Sequence, residues 1–163
     1  MNSRLLSTVL ALVLCAGFPL AAYSQAKPDT LVKQRQSAMV LQGKYFGPMA
    51  GMAQGKVPYD QAVVVRNSGY LDVLNKMPWD GFTPATRDEK TRALPAVFTD
   101  TAKFTEAQNQ FQAEVTKLVA VSKSGDEASV KAQISAVGKS CAACHENFRQ
   151  KQTEKVLSTK VLK

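Results

Sequence analysis

A chain of 163 residues, 45% of them hydrophobic, has the length of one ordinary domain and can bury a core without disulfide staples. Twenty-one basic against thirteen acidic side chains leave a net charge of +8, which favours acidic partners or anionic surfaces and carries no information about fold. No cluster interleaves basic with aromatic residues, which argues against a nucleic-acid module, and one histidine excludes any site needing two imidazoles from one chain.

Arg4 precedes an apolar stretch from Leu5 to Ala22 that ends in small and polar residues, the layout of a secretory signal peptide. Cleavage after Ser24 (Ala22-Tyr23-Ser24) is preferred over cleavage after Ala26. Residues 1–24 are therefore expected to be removed, leaving 25–163 as an exported domain. Uncut, the stretch is about long enough to span a bilayer, but the cleavage sites argue against an anchor. Cys15 goes with the leader, and only Cys141 and Cys144 remain.

Four segments with helical periodicity follow. The first starts near Asp29, just after Pro28, with Val32, Met39 and Phe46 at seven-residue spacing and Arg35, Gln36, Gln42 and Lys44 elsewhere on the wheel. Gly47-Pro48 predicts a kink or break before Met49 and Met52 resume the apolar face. The second begins after Pro58-Tyr59 with Asp60 as N-cap, carries Val63, Tyr70, Leu74 and Met77 inward, and ends at Pro78. Pro78 to about Thr99 is rich in breakers, too long for a casual turn, and reads as an ordered crossover held by Trp79, Phe82 and Phe98.

A third helix runs from near Asp100 to Gly125, with Phe104, Ala107, Phe111, Val115 and Leu118 on one face. The fourth, capped near Asp126, has the clearest seam: Val130, Ile134, Val137, Cys141, Cys144 and Phe148 in steps of four and three. The short run Val63-Val64-Val65 lies inside a helical period, so strand signals are almost absent. The expected architecture is all-α: an antiparallel up-and-down four-helix bundle with one long connection.

Cys141-Ala142-Ala143-Cys144-His145 is a C-x-x-C-H sequence, the attachment signature of covalent haem c. On a helix, positions i, i+3 and i+4 share a face, so both sulfurs and the imidazole point to one place in the seam. Haem is a flat, largely apolar plate that two thiols tether while the neighbouring imidazole of His145 takes the iron as axial ligand. Structural zinc wants four ligands, which the mature chain does not supply. A redox-active cysteine pair belongs at a helix N-terminus in a βαβ context. A plain disulfide is the remaining alternative. For the other face of the iron the candidates are Met39, Met49, Met52 or Met77, water, or an apolar wall; Met39 lies on the first helix's inward stripe and is the candidate sixth ligand.

The segments Arg35-Gln36-Ser37-Ala38-Met39, Phe46-Gly47-Pro48-Met49, Gly55-Lys56-Val57-Pro58-Tyr59-Asp60 and Met77-Pro78-Trp79, with the C-terminal Cys141 to Arg149, resemble the cytochrome c′ family over nearly the whole mature chain. The resemblance implies a four-helix bundle with one haem, often a homodimer, in the bacterial periplasm. It further implies His145 as proximal ligand with Arg149 beside it, Arg35 and Gln36 near a haem propionate, and Met39 facing the distal side.

Two functions follow. One is electron transfer through the haem iron, with binding of nitric oxide or carbon monoxide at an open distal site; the other is a low-spin carrier with Met39 bonded to iron and no gas binding. No second titratable cluster stands ready to shuttle protons, which argues against an enzyme. Lysines near the C-terminal haem segment suit an acidic redox partner protein.

Overall fold

The structure is a computed structural model that describes residues 26–151. The proposed leader with the preferred cleavage site after Ser24, Cys15 and the lysines beyond Lys151 lie outside the described residues. Four long helices, α1 (Pro28–Ala53), α2 (Gln61–Leu74), α4 (Thr101–Ser124) and α5 (Glu127–Phe148), form the bundle, and a short α3 (Ala96–Thr99) ends the crossover. Among the described residues no strand forms; a single antiparallel bridge joins Ala93 to Arg149.

The helix ends follow from local chemistry. Asp60 caps α2 by accepting from the Val63 amide, and Asp126 caps α5 by accepting from the Ser129 amide. Beyond α1, Gly55 takes φ +69°, the left-handed conformation that glycine adopts without strain. Its amide bonds the Met52 carbonyl and the Lys56 amide bonds the Gly51 carbonyl, a Schellman closure that satisfies two end carbonyls. Gly125 ends α4 for a different reason: a Cβ there would lie 2.7 Å from the Val121 carbonyl oxygen.

Cross-helix bonds set an antiparallel order. Gln42 donates to the Leu74 carbonyl and Asn67 to the Tyr45 carbonyl, which pairs α1 with α2. Gln61 donates to the Ser122 carbonyl while Gln112 donates to the Asn75 carbonyl, so α2 and α4 also run in opposite directions. Gln133 joins α5 to α4 through the carboxylate and carbonyl of Glu114. Helix α1 packs on α5 and closes the ring. The core is a layer of Met49, Met52, Val64, Leu71, Phe111, Val115, Leu118, Val130, Ile134 and Val137.

Several expectations need correction. Of the kink or break expected at Gly47-Pro48, the break does not occur: helix α1 continues through Pro48. Gly47 and Pro48 lie on its exposed face, where the carbonyl that loses its amide partner is open to water. Helix α2 ends at Leu74, four residues before Pro78, and its inward stripe is Val64, Asn67, Ser68, Leu71 and Leu74. Tyr70 and Met77 are 46% and 51% exposed, not inward. Two polar residues on the buried stripe hid it from an apolar count, and Met77 lies past the helix. Likewise Arg35 and Gln42 of α1 are buried, whereas the wheel set them apart from the apolar stripe. The crossover is ordered as expected, with 3-10 turns at Trp79–Gly81 and Pro84–Thr86, but Thr86 at 1% and Val97 at 3% exposure are among its deepest anchors and Phe98 is only half-buried.

Candidate functional site

A cavity of about 590 Å³ opens between α1, α5, α4 and the crossover. Its α5 wall carries Cys141, Cys144, His145, Phe148 and Arg149; its α1 wall carries Arg35, Gln36, Met39 and Phe46. Every site residue drawn from the sequence therefore lines one space. The volume falls in the range of about 300–1,000 Å³ that small-molecule sites occupy.

The α5 wall arises from the heptad-like seam. Val130, Ile134 and Val137 are fully buried, and continuing the same stripe brings both cysteines, half-buried, to the cavity. Both thiols are free. Burial and the neighbouring Cys144 push the Cys141 thiol up to about 11, and burial raises Cys144, against which Arg149 acts. These are protonated thiols, unlike the low-pKa thiolate of a redox-active pair at a helix N-terminus. Burial, Arg149 and Arg92 together lower the pKa of His145, so its imidazole is held neutral with a lone pair to donate.

Met39 is half-buried in the cavity lining, whereas Met49 and Met52 belong to the core cluster and Met77 faces solvent. Of the four methionines considered as iron ligands, Met39 alone lines the cavity. An aromatic chain also walls the space, beginning beside α1 where the Phe82 ring lies under Arg35. Trp79 and Phe82 stack at 6.4 Å, Phe82 meets Phe104 edge-on at 5.0 Å, and Phe104 meets Phe148 edge-on at 5.2 Å.

Arg35 gives a physical test of what this cavity accepts. It is 3% exposed, and among the described residues no carboxylate forms an ion pair with it. One terminal nitrogen, Nη1, donates to the Gly81 carbonyl and the Thr86 hydroxyl, and Nη2 donates to the Thr91 hydroxyl at 3.4 Å. Three of five guanidinium donors are thus spent on neutral acceptors. A buried cation without a counterion is costly, and burial lowers its proton affinity while Glu89 acts weakly the other way. An apolar plate bearing carboxylates supplies what is missing: surface for the aromatic wall and an anion for Arg35. Haem has that chemistry, and the residues present fit it.

The sequence did not mark Thr91, Arg92 and Ala93, which also line the cavity. They reach it because the crossover is pinned to the end of α5. The Leu94 amide bonds the Phe148 carbonyl at 3.0 Å, and the Gln150 amide bonds the Arg92 carbonyl at 2.8 Å. No motif signals such pairing; only the excess length of the crossover hinted that it had a role.

Comparison with known proteins agrees with this geometry. The family model described as Cytochrome C′ matches residues 30–149. A cytochrome c′ of Rubrivivax gelatinosus is 41% identical over 126 residues, spanning 77% of this chain and 98% of the relative. Its crystal structure superposes with a TM-score of 0.72, covering 76% of this chain and 98% of that one. A nitric oxide complex of a variant cytochrome c prime from Alcaligenes xylosoxidans, 39% identical and covering 78% of this chain and 98% of that one, also gives 0.72. With the family model matched over most of its length and these relatives aligned from end to end, the chain belongs to the cytochrome c′ family, a four-helix-bundle haem protein whose cofactor is covalently attached haem c.

Proposed function

We propose that this chain is a periplasmic mono-haem cytochrome that transfers electrons through its iron and binds nitric oxide or carbon monoxide at an open distal face. The observation that carries the reading is the shared cavity, with Cys141, Cys144 and His145 on one wall and Met39 on the opposing helix. Haem c, when bound, would supply a redox-active iron able to take up a diatomic ligand. The two thiols would hold it as thioethers and His145 would bind its iron, with the imidazole kept neutral by burial first and by Arg149 and Arg92 beside it. Arg35, with Gln36 next to it, faces a propionate. The aromatic wall excludes water, and Met39 covers the distal face as a lid that admits a diatomic molecule. The nitric oxide complex of the Alcaligenes relative supports the choice of ligand class. The role is that of a carrier and gas binder, not an enzyme.

The leader pattern at residues 1–24 supports export. Arg92, Arg149 and Lys151 lie exposed near the cavity mouth, and none pairs with a carboxylate among the described residues. They suit an acidic redox partner. A homodimer is supported by Leu41 on α1, Tyr70 and Val73 on α2 and Met77 just past its end, large side chains 39% to 55% exposed.

A second reading rests on the same methionine. Met39 bonded to iron makes the site six-coordinate and the protein an electron carrier without gas binding. Replacing Met39 by leucine separates the two. An unchanged high-spin spectrum supports the open site, and a change from low to high spin in the variant establishes the ligated carrier.

A further inference from the structure

The hydrogen bonds that hold Arg35 come from the crossover, not from its own helix or its helical neighbours. Gly81 brings its carbonyl so close that a Cβ there would lie 2.9 Å from both the Arg35 Cβ and the Leu31 carbonyl oxygen. The Phe82 ring lies 4.3 Å from the guanidinium carbon. Thr86, 1% exposed, accepts from Arg35 at 3.0 Å. Its own proton is directed to the Gly81 and Thr83 carbonyls at 3.1 and 2.9 Å, which fixes the hydroxyl as an acceptor toward the arginine.

We propose that Thr86 is a positioning residue: by fixing Arg35 in the cavity wall, the crossover sets the ionisation of the carboxylate at the haem edge and hence the pH dependence of the reduction potential. This rests on the haem reading above. The physical argument concerns freedom. An arginine side chain has many rotamers, and a guanidinium that can swing to solvent screens a buried anion poorly. Held on one side by a carbonyl and two hydroxyls, and stacked on Phe82, the group has two donors left in the cavity it lines; Glu89 acts on it electrostatically, and Arg92, Arg149 and His145 line the same cavity. A cation fixed within contact distance lowers the pKa of a carboxylate by about 1–3 units. The neutral form of that carboxylate favours the reduced iron less poorly than its anion does. The potential therefore bends with pH where the carboxylate titrates.

The test is a potentiometric titration of the haem-loaded protein between about pH 4 and pH 9, for the parent, Thr86→Val and Thr86→Ser. Valine keeps the shape and deletes the acceptor; serine keeps the hydroxyl. The expected result is an inflection moved up by about one unit in Thr86→Val and restored in Thr86→Ser. Thr91→Val, which removes the weaker bond, moves it in the same direction by less. A valine variant with a native haem spectrum and an unmoved inflection overturns the proposal and leaves the haem reading intact. Should Thr86→Val not fold, an unmoved profile in Thr91→Val overturns it equally. Absence of covalent haem from the parent overturns the underlying reading instead.

Discussion

Gly81→Ala tests the coupling between crossover and site in one methyl group. The added Cβ would stand 2.9 Å from the Leu31 carbonyl oxygen and 2.9 Å from the Arg35 Cβ, with the Arg35 Cδ at 3.2 Å. Two of these neighbours are backbone or backbone-attached, so they cannot swing aside, and either α1 or the crossover has to move. Overpacking of this kind costs about 1–3 kcal/mol. Displacement also weakens the charge-assisted bond from Arg35 to the Gly81 carbonyl, a further ~1 kcal/mol of the about 1.5–3 that such bonds contribute. The expected loss is about 3 kcal/mol, or roughly 12 °C in Tm for a domain of this size. Urea unfolding followed by circular dichroism measures it. Gly69→Ala is the matched control: this exposed position inside α2 has nothing within 4 Å of a Cβ, so alanine should stabilise by about 0.5–1 kcal/mol. If Gly81→Ala were as stable as the parent, or Gly69→Ala the more damaging of the two, the packing argument would fail.

Further predictions concern stability, charge and core. Hydrogen bonds from Lys117 and then Gln133 hold the Glu114 carboxyl below its ordinary range. Its folded pKa lies under the unfolded one, so its contribution is present above the unfolded value of about 4.3 and is lost as pH falls through the folded value. Glu114→Gln should lower stability at neutral pH by about 1 kcal/mol and flatten the acid limb of a stability-against-pH curve; an unaltered limb would count against the assignment. Arg92→Gln with Lys151→Gln should slow electron exchange with an anionic redox partner at low salt, and the difference should shrink as ionic strength rises; a salt-independent rate rules out that docking face. Ile134→Ala, at a fully buried seam position, should cost about 2–5 kcal/mol in chemical denaturation, and a loss under 1 would mean that the seam is not the core.

Much of this arrangement was legible in the chain because its strongest signals are local. The C-x-x-C-H spacing needs only helical geometry to bring Cys141, Cys144 and His145 to one face, and the apolar steps from Val130 to Phe148 supply that helix. Asp60 and Asp126 announced two helix starts by the chemistry of their side chains. The failures occurred where burial is polar. Asn67 and Ser68 lie on the inward stripe of α2, which an apolar count shifts by one residue to Val63 and Tyr70. Arg35 is buried because the distant Gly81, Thr86 and Thr91 receive its donors, and no pattern within α1 records that. The break expected at Pro48 fails for the opposite reason: at an exposed position water can replace the lost amide, so the helix runs on.

The central claim is an iron site held by Cys141, Cys144 and His145 with a distal face that Met39 covers but does not close. Optical absorption of the purified protein, oxidised and reduced, before and after carbon monoxide, tests it most directly. A covalent haem spectrum, high-spin when ferrous and shifting on addition of the gas, is the predicted result. A low-spin ferrous spectrum indifferent to carbon monoxide contradicts the open site and makes Met39 the sixth ligand, while absence of covalent haem contradicts the account as a whole.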